Sequence, residues 1–235
     1  YVAEILERAS GVGEIAVDKS LLRNAVAVAE EAERDHRIHA VAYPATFSYL
    51  GSGVPRYASE VLTPPIAPPP RPYAGVVEPG IFVTVTGIPG LERLYGDARR
   101  LGIKLYTNDP EAVPGGVRAS PRMIPHSNIR FQFARAGWSS IWASMIAGIP
   151  LAVPKFDPRD DPEIYFNNLC VERLGLGVVY RGQPLEDLLT AREQLIAKSR
   201  EMVAAIMRRW GTVDGNAWCA ALFARDFLSA SGVAS

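Results

Sequence analysis

Short apolar runs alternate with helical patterns from residue 80 onward, and this alternation constrains the fold more than any other feature. The strand-like runs fall at residues 81–85, 103–106, 129–133, 151–153 and 178–180. Between and after them, apolar residues recur at helical spacing, most clearly at 91–101, 137–145, 162–174, 185–210 and 217–228. Strands separated by helices pair in parallel through right-handed crossovers. We therefore expect residues 80–235 to form a doubly wound, Rossmann-like α/β domain with a mostly parallel sheet.

A proline-rich stretch precedes this domain. Residues 62–72 contain six prolines, and proline has no N–H to donate and a fixed φ, which disfavours both helix and central strand. We interpret residues 61–79 as a linker between domains; a surface arm on a single domain is the alternative. Residues 1–60 carry two helical patterns and one strand pattern at 39–43. They predict a short, mainly helical segment, with Asp18 or Ser20 as the cap of its second helix.

The balance of charge argues against some partners. The chain has 25 basic and 25 acidic residues, and it lacks the basic surplus with which proteins bind nucleic acid or anionic membranes. No apolar run approaches the ~18 residues of a membrane span. Two cysteines are too few for a disulfide scaffold or a zinc site, so we expect buried free thiols, no metal and a cytoplasmic location. The chain begins with Tyr1 rather than Met, as a fragment or a processed product would.

The segment 133–140 has the composition of an anion site. In parallel sheets ligands bind beyond the carboxyl ends of the strands, and here a predicted strand ends just before Arg135. Gly137 allows a ligand to approach the backbone, while Ser139 or Ser140 could cap the following helix. Free N–H groups at the helix start suit a phosphate or diphosphate. The alternative is an ordinary strand-to-helix turn with a capping serine.

Four further landmarks follow in a fixed order: Ala-Gly-Ile-Pro at 147–150, an acidic loop at 157–163, paired asparagines at 167–168, and Leu-Gly-Leu-Gly at 174–177. With the glycine and serines at 137–140, this order resembles the GT-B superfamily of glycosyltransferases. It is most similar to bacterial sugar transferases related to macrolide glycosyltransferases and to the enzyme that completes lipid II. The resemblance covers residues 80–180 well and the C-terminal helices loosely. Residues 1–60 would correspond to the tail of an acceptor-side domain.

The resemblance implies a nucleotide-sugar substrate of the UDP or dTDP type, with no other cofactor, and a small-molecule or lipid acceptor. It places the donor diphosphate at Arg135, Ala136, Gly137, Trp138, Ser139 and Ser140, with Thr86 and Gly87 lining the same crevice. It places the nucleobase near Met123 and Ile124, and the hydroxyls of the donor sugar at Asp161 and Glu163. The alternative for the acidic loop is a solvated cap of the helix that starts at Pro162.

Two departures from the family keep a second hypothesis open. Many relatives have His where Arg135 stands, although Arg also neutralises a diphosphate. Relatives place a ribose-binding Glu at the position of Ala143. No residue is identified as the catalytic base, which relatives carry in an N-terminal domain; that domain, or a partner chain, is expected to be missing here. A non-catalytic binding or partner subunit is therefore the alternative to a transferase. A dinucleotide-dependent oxidoreductase is disfavoured, since the glycine spacing after the first strand is wrong.

Overall fold

The computed structural model describes residues 1–50, 55–84 and 90–230, and the chain divides into two compact units. The first unit contains Tyr1–Pro68, Phe156–Cys170 and the chain from Ile206 onward. The second contains Pro69–Lys155 and Val171–Ala205. The strand pattern at 81–85 is described as far as Thr84. The predicted site residues Thr86 and Gly87 lie outside the described residues.

The N-terminal part of the first unit is mainly helical, as predicted. Its elements are α1 (Val2–Ser10), α2 (Lys19–Arg34), β1 (His39–Ala42), α3 (Thr46–Leu50) and β2 (Glu60–Thr63). Asp18 is the cap of α2, because its carboxylate accepts the backbone N–H groups of Ser20 and Leu21. β1 and β2 form a two-stranded parallel sheet in which His39 lies opposite Glu60. The core of this unit is apolar and consists of Ile5, Ala9, Ile15, Leu22, Phe47 and Phe166.

β2 was not predicted. Leu62 and Thr63, which the sequence analysis placed at the start of the linker, belong to this strand, and the strand ends directly before Pro64. The prolines that follow have a packing partner within the first unit: the N–H of Gly215 donates to the carbonyl of Pro65 at 3.0 Å. The start of the proline-rich stretch is therefore fixed by a hydrogen bond within the first unit.

The second unit is built on a six-stranded sheet. The elements of the chain from residue 80 onward, which belong to both units, are in order β3 (Gly80–Val83), α4 (Glu92–Arg100), β4 (Lys104–Thr107), β5 (Val117–Arg118), β6 (Ile129–Phe133), α5 (Trp138–Ala147), β7 (Leu151–Pro154), α6 (Pro162–Leu174), β8 (Gly177–Tyr180), α7 (Leu185–Trp210) and α8 (Gly215–Ala230). The first turns of α6, the end of α7 and all of α8 belong to the first unit. The strand order is β5-β4-β3-β6-β7-β8, and every pair is parallel. The predicted doubly wound parallel sheet is confirmed.

The interior of this sheet is mainly apolar, with two buried polar side chains, Thr107 in β4 and Gln132 in β6. All four residues of β3 and of β7 are buried, as expected for parallel strands covered on both faces. Gln132 in β6 is also buried, at 3% exposure. Its side-chain oxygen accepts a hydrogen bond from the hydroxyl of Ser144 in α5, at 2.5 Å. That bond offsets the cost of burying an amide in the core.

Candidate functional site

The sheet order reverses between β3 and β6, which places a topological switch point at their carboxyl ends. The chain builds β3, β4 and β5 outward in one direction, then returns to place β6, β7 and β8 on the other side of β3. Ligands of open α/β sheets bind at such a reversal point. Just past β3, the N–H and the hydroxyl of Thr84 both donate to the carbonyl of Phe133, at 2.8 and 3.2 Å. These bonds hold the two strand ends together at the switch point.

The turn from β6 into α5 carries the predicted anion site. Gly137 is the N-cap residue of α5, with φ −86° and ψ 141°, and its carbonyl accepts the N–H groups of Ser140 and Ile141. The prediction that Ser139 or Ser140 caps this helix was wrong, because no side chain caps it and both serines lie inside the first turn. N–H groups at the start of a helix carry the positive end of the helix dipole. The dipole of α5 therefore favours an anion at this turn.

Gly137 is a glycine that the fold does not require. Its φ is ordinary for any residue, and a Cβ added there would have no heavy atom of the described residues within 4 Å. With respect to that part of the chain, the space that a side chain would occupy is open. A ligand that must approach the backbone closely gives a physical reason for glycine at this position.

The side chains around the turn divide into two groups. Arg135 and Ser139 are exposed and Ser140 is half-buried, so these three can reach an anion at the helix start. Ala136 and Trp138 are buried. The ring of Trp138 packs against that of Trp142, with centroids 5.7 Å apart, so its side chain stabilises α5 while its backbone belongs to the turn.

The predicted nucleobase residues lie in the core. Met123 and Ile124 are only 4% and 7% exposed and pack with Phe82, Tyr106 and Ile129. Met123 ends a short 3₁₀ turn over Pro121–Met123. Since their side chains fill the interior, any contact with a base would come from their backbone, and a role at the nucleobase stays a prediction.

The predicted sugar-binding carboxylates belong to the first unit, at the start of α6. Asp161 Oδ1 accepts the N–H of Glu163 at 2.9 Å, and Asp160 Oδ1 accepts the N–H of Asp161 at 2.9 Å. The bond to Asp161 caps the helix, as the alternative interpretation of the acidic loop expected, and the bond to Asp160 lies in the loop before it. Glu163 Oε1 accepts hydrogen bonds from the phenol of Tyr1 at 3.3 Å and from the amide of Asn167 at 3.0 Å. A role in sugar binding stays a prediction for both carboxylates.

Thr84 and Thr46 were not predicted as residues of interest. Thr84 lies inside the run predicted as a strand over 81–85, whereas β3 ends at Val83. The hydrogen bond of Thr46 with Asn167, one of the paired asparagines, joins positions far apart in the sequence. Thr86 and Gly87 themselves lie outside the described residues.

The cysteines and His126 have surroundings typical of structural residues. Cys170 and Cys219 are buried thiols outside any disulfide, as predicted. His126 Nδ1 accepts the N–H of Asn128 at 3.1 Å, which fixes a loop. Within residues 1–50, 55–84 and 90–230, no group of three or more His, Cys, Asp or Glu side chains is placed to hold a metal ion. In the same part of the chain, no helix has the length and apolar character needed to cross a membrane.

No protein-family model and no curated protein sequence matches the chain. Among solved structures, the chain is similar to the glycosyltransferase of kitacinnamycin, with 14% identity, a TM-score of 0.54, and coverage of 95% of this chain and 65% of that one. It is also similar to SsfS6, a glycosyltransferase from Streptomyces sp. SF2575, with 14% identity, a TM-score of 0.51, and coverage of 83% and 57%.

These similarities establish the fold. At 14% identity they carry the architecture and no more, and the expected Rossmann-like α/β fold is confirmed. The chain spans 57–65% of the length of these two proteins.

Proposed function

We propose that the chain binds a nucleoside-diphosphate sugar of the UDP or dTDP type and takes part in transferring the sugar, a hexose, to an acceptor hydroxyl. The observation that carries this proposal is the open, uncapped start of α5 beside Arg135, at the reversal point of an all-parallel sheet. Supporting it, both solved proteins described above are named as glycosyltransferases. A cytoplasmic location and a small-molecule or lipid acceptor belong to the same proposal.

The chemistry follows from where charge develops. The acceptor oxygen attacks the anomeric carbon of the sugar, the bond from that carbon to the diphosphate oxygen breaks, and its electron pair leaves with the diphosphate. Negative charge therefore grows on the leaving group. The first-turn N–H groups of α5, the hydroxyls of Ser139 and Ser140, and the guanidinium of Arg135 would stabilise it there. The acceptor proton must pass to a base, and no described residue is assigned that role.

The acceptor side of this proposal needs more polypeptide. β1 and β2 form a sheet of only two parallel strands, whereas parallel sheets are usually larger and covered on both faces. We propose that an N-terminal domain or a partner chain completes the acceptor side. The 235-residue chain alone is then expected to transfer no sugar, and measurable transfer by it would contradict this part of the proposal.

The decisive test is calorimetric titration with UDP and dTDP. Arg135 is exposed, so its contact to a diphosphate is taken at the low end for charged hydrogen bonds, about 1.5 kcal/mol. Arg135→Ala should therefore weaken binding about tenfold. Arg130→Ala is the matched control, because Arg130 is an exposed arginine near the amino end of the same strand. Failure of the wild type to bind either nucleotide at millimolar concentration would refute the proposed function.

Ala143 favours the second candidate, a non-catalytic binding or partner subunit. It lies half-buried on α5, where a Glu in relatives binds ribose. Ala143→Glu should raise the affinity for UDP or dTDP if the ribose lies over this helix. A complete protein that binds the donor but transfers no sugar, with or without this substitution, would favour the second candidate over the first.

A further inference from the structure

The second unit contains a small cavity at the amino end of β4. It lies between the last turns of α4, the first residues of β4 and the loop that precedes β5, and its volume is about 250 Å³. Its walls are largely apolar: Ala98, Ile103 and Leu105 are buried, and Pro114 closes the side of the loop. Cavities that hold drug-sized ligands are larger, roughly 300–1,000 Å³. This cavity therefore suits a molecule of about one ring.

The cavity is separate from the proposed diphosphate site. All strands of the sheet are parallel, so their amino ends lie on one side of the sheet and their carboxyl ends on the other. Lys104, which lines the cavity, is the first residue of β4, whereas Arg135 and Gly137 follow the carboxyl end of β6. The cavity and the turn into α5 thus lie at opposite ends of the strands within the same unit.

Two polar side chains of α4 border the cavity without a partner of their own. Tyr95 and Arg99 lie four residues apart, on the same face of the helix, and both line the cavity. Among the described residues, no group forms a hydrogen bond or an ion pair with the guanidinium of Arg99 or with the hydroxyl of Tyr95. Lys104 differs, because its ammonium is paired with Glu78 at 2.9 Å. Arg99 therefore supplies the positive charge that is left unbalanced at the cavity.

The surroundings of the two side chains suit them as donors to a ligand. A Cβ added at Gly115 would lie 4.0 Å from Nη2 of Arg99, so the guanidinium lies beside the loop that forms one wall of the cavity. Burial, and secondarily the negative charge of Glu92, raise the pKa of the Tyr95 phenol. The phenol therefore stays protonated at neutral pH and can donate a hydrogen bond.

We infer that this cavity is a second ligand site, which binds a small monocarboxylate with an apolar body of one ring. The ring would lie against the apolar walls, and the carboxylate would accept hydrogen bonds from the guanidinium of Arg99 and the hydroxyl of Tyr95. Guanidinium and carboxylate form strong, often bidentate, charge-assisted bonds, and one unbalanced cation matches one carboxylate. The inference does not rest on the proposed function, because it uses none of the residues at the start of α5.

Benzoate is the probe, since it is a single ring with one carboxylate. It is titrated into the isotope-labelled 235-residue chain at neutral pH and constant ionic strength, and backbone amide shifts are followed by two-dimensional NMR. We expect a Kd in the millimolar range, because so small a ligand makes few contacts. The shifts should be confined to residues 95–105 and 115–116.

Two further probes test the ligand class. Benzyl alcohol keeps the ring and lacks the charge, so it should bind about tenfold more weakly than benzoate. Inorganic phosphate has the charge and lacks the ring, so it should leave these amides unshifted. Equal binding of benzyl alcohol would overturn the role of the carboxylate, and equal binding of phosphate would overturn the role of the ring.

Substitutions test the two donors. Arg99→Gln should raise Kd for benzoate about tenfold, and Tyr95→Phe about threefold, since it removes a neutral donor. Arg130→Gln is the matched control, because Arg130 is an exposed arginine near the amino end of β6 in the same sheet, and it should bind benzoate as the wild type does. Melting temperatures show that each variant is folded.

The outcomes that overturn the inference are distinct. Wild-type chain whose amides at 95–105 and 115–116 do not shift with benzoate has no ligand site there, and shifts at residues 135–140 instead would place the carboxylate at α5. Unchanged affinity in Arg99→Gln, or an equal loss in Arg130→Gln, would show that Arg99 makes no specific contact. None of these results depends on whether UDP or dTDP binds, so the proposed function and this inference can fail separately.

Discussion

Gly137→Ala separates the needs of the fold from the needs of a ligand. In the free chain the new methyl group meets no heavy atom of residues 1–50, 55–84 or 90–230 within 4 Å, and the φ of −86° is accessible to alanine. Two small effects on folding oppose each other. Alanine is a poorer N-cap than glycine, but it lowers the conformational entropy of the unfolded chain by about 0.4–1 kcal/mol.

The net change in stability should therefore stay within about 1 kcal/mol, or roughly 2–4 °C in melting temperature for a chain of this size. The effect on a bound diphosphate should be much larger. Its oxygens would lie where the methyl group now stands, against the backbone N–H groups of α5. Loss of even one charge-assisted bond there costs about 1.5–3 kcal/mol, so we expect Kd for UDP or dTDP to rise about ten- to a hundredfold.

The assay is calorimetric titration of Gly137→Ala together with thermal unfolding. Gly96→Ala is the matched control, because a Cβ at Gly96 in α4 likewise has no heavy atom within 4 Å in the part of the chain that the structure describes, and its φ is not positive. This control should bind as the wild type does. Wild-type affinity in Gly137→Ala, from a wild type that binds, would refute the reasoning that the open space is occupied by the ligand.

Three further predictions concern stability. Gly177→Ala places a Cβ 2.6 Å from the carbonyl oxygen of Leu151, so it should destabilise the sheet by about 1–3 kcal/mol; an unchanged melting temperature would contradict this. Ser144→Ala removes the donor to buried Gln132 and should cost about 1–3 kcal/mol, a loss that adding Gln132→Leu should partly recover in denaturant titrations. Arg181 lowers the pKa of Glu172 below its ordinary value of 4.5 by a direct hydrogen bond. This ion pair therefore stabilises the fold above about pH 4.5 and is lost as pH falls through the lower folded-state pKa. The difference in melting temperature between wild type and Glu172→Gln should shrink on acidification, and a constant difference down to the acid limit would show that the pair contributes nothing.

The α/β alternation could be read from the sequence because its signals are local. The helix predicted over 162–174 is Pro162–Leu174, and the one predicted over 185–210 is Leu185–Trp210. In both, apolar spacing and a bounding proline or glycine fix the ends. β2 escaped prediction because its stability comes from pairing with β1, about twenty residues earlier, and because prolines follow it at once. Strand preference depends more on such partners than on the residues themselves.

The candidate site was predictable only in part. Arg135 and Gly137 were found from their place after a strand, and the structure confirms that place. The prediction of a serine cap for α5 was wrong. Serine is the better N-cap by local preference, but in the structure Gly137 is the N-cap residue. The contact of Glu163 with Tyr1 joins residues 162 positions apart, and no local pattern encodes it.

The proposed function assigns the diphosphate and the ribose to different kinds of group. The proposed diphosphate site at α5 would use backbone N–H groups, which survive most substitutions, whereas relatives contact ribose through a single side chain that is Ala143 here. Diphosphate binding can therefore persist in a chain that no longer transfers sugar. It follows that a measured Kd for UDP supports the donor site without deciding between the two candidate functions. Only sugar transfer by a complete protein, with its acceptor side present, decides between them.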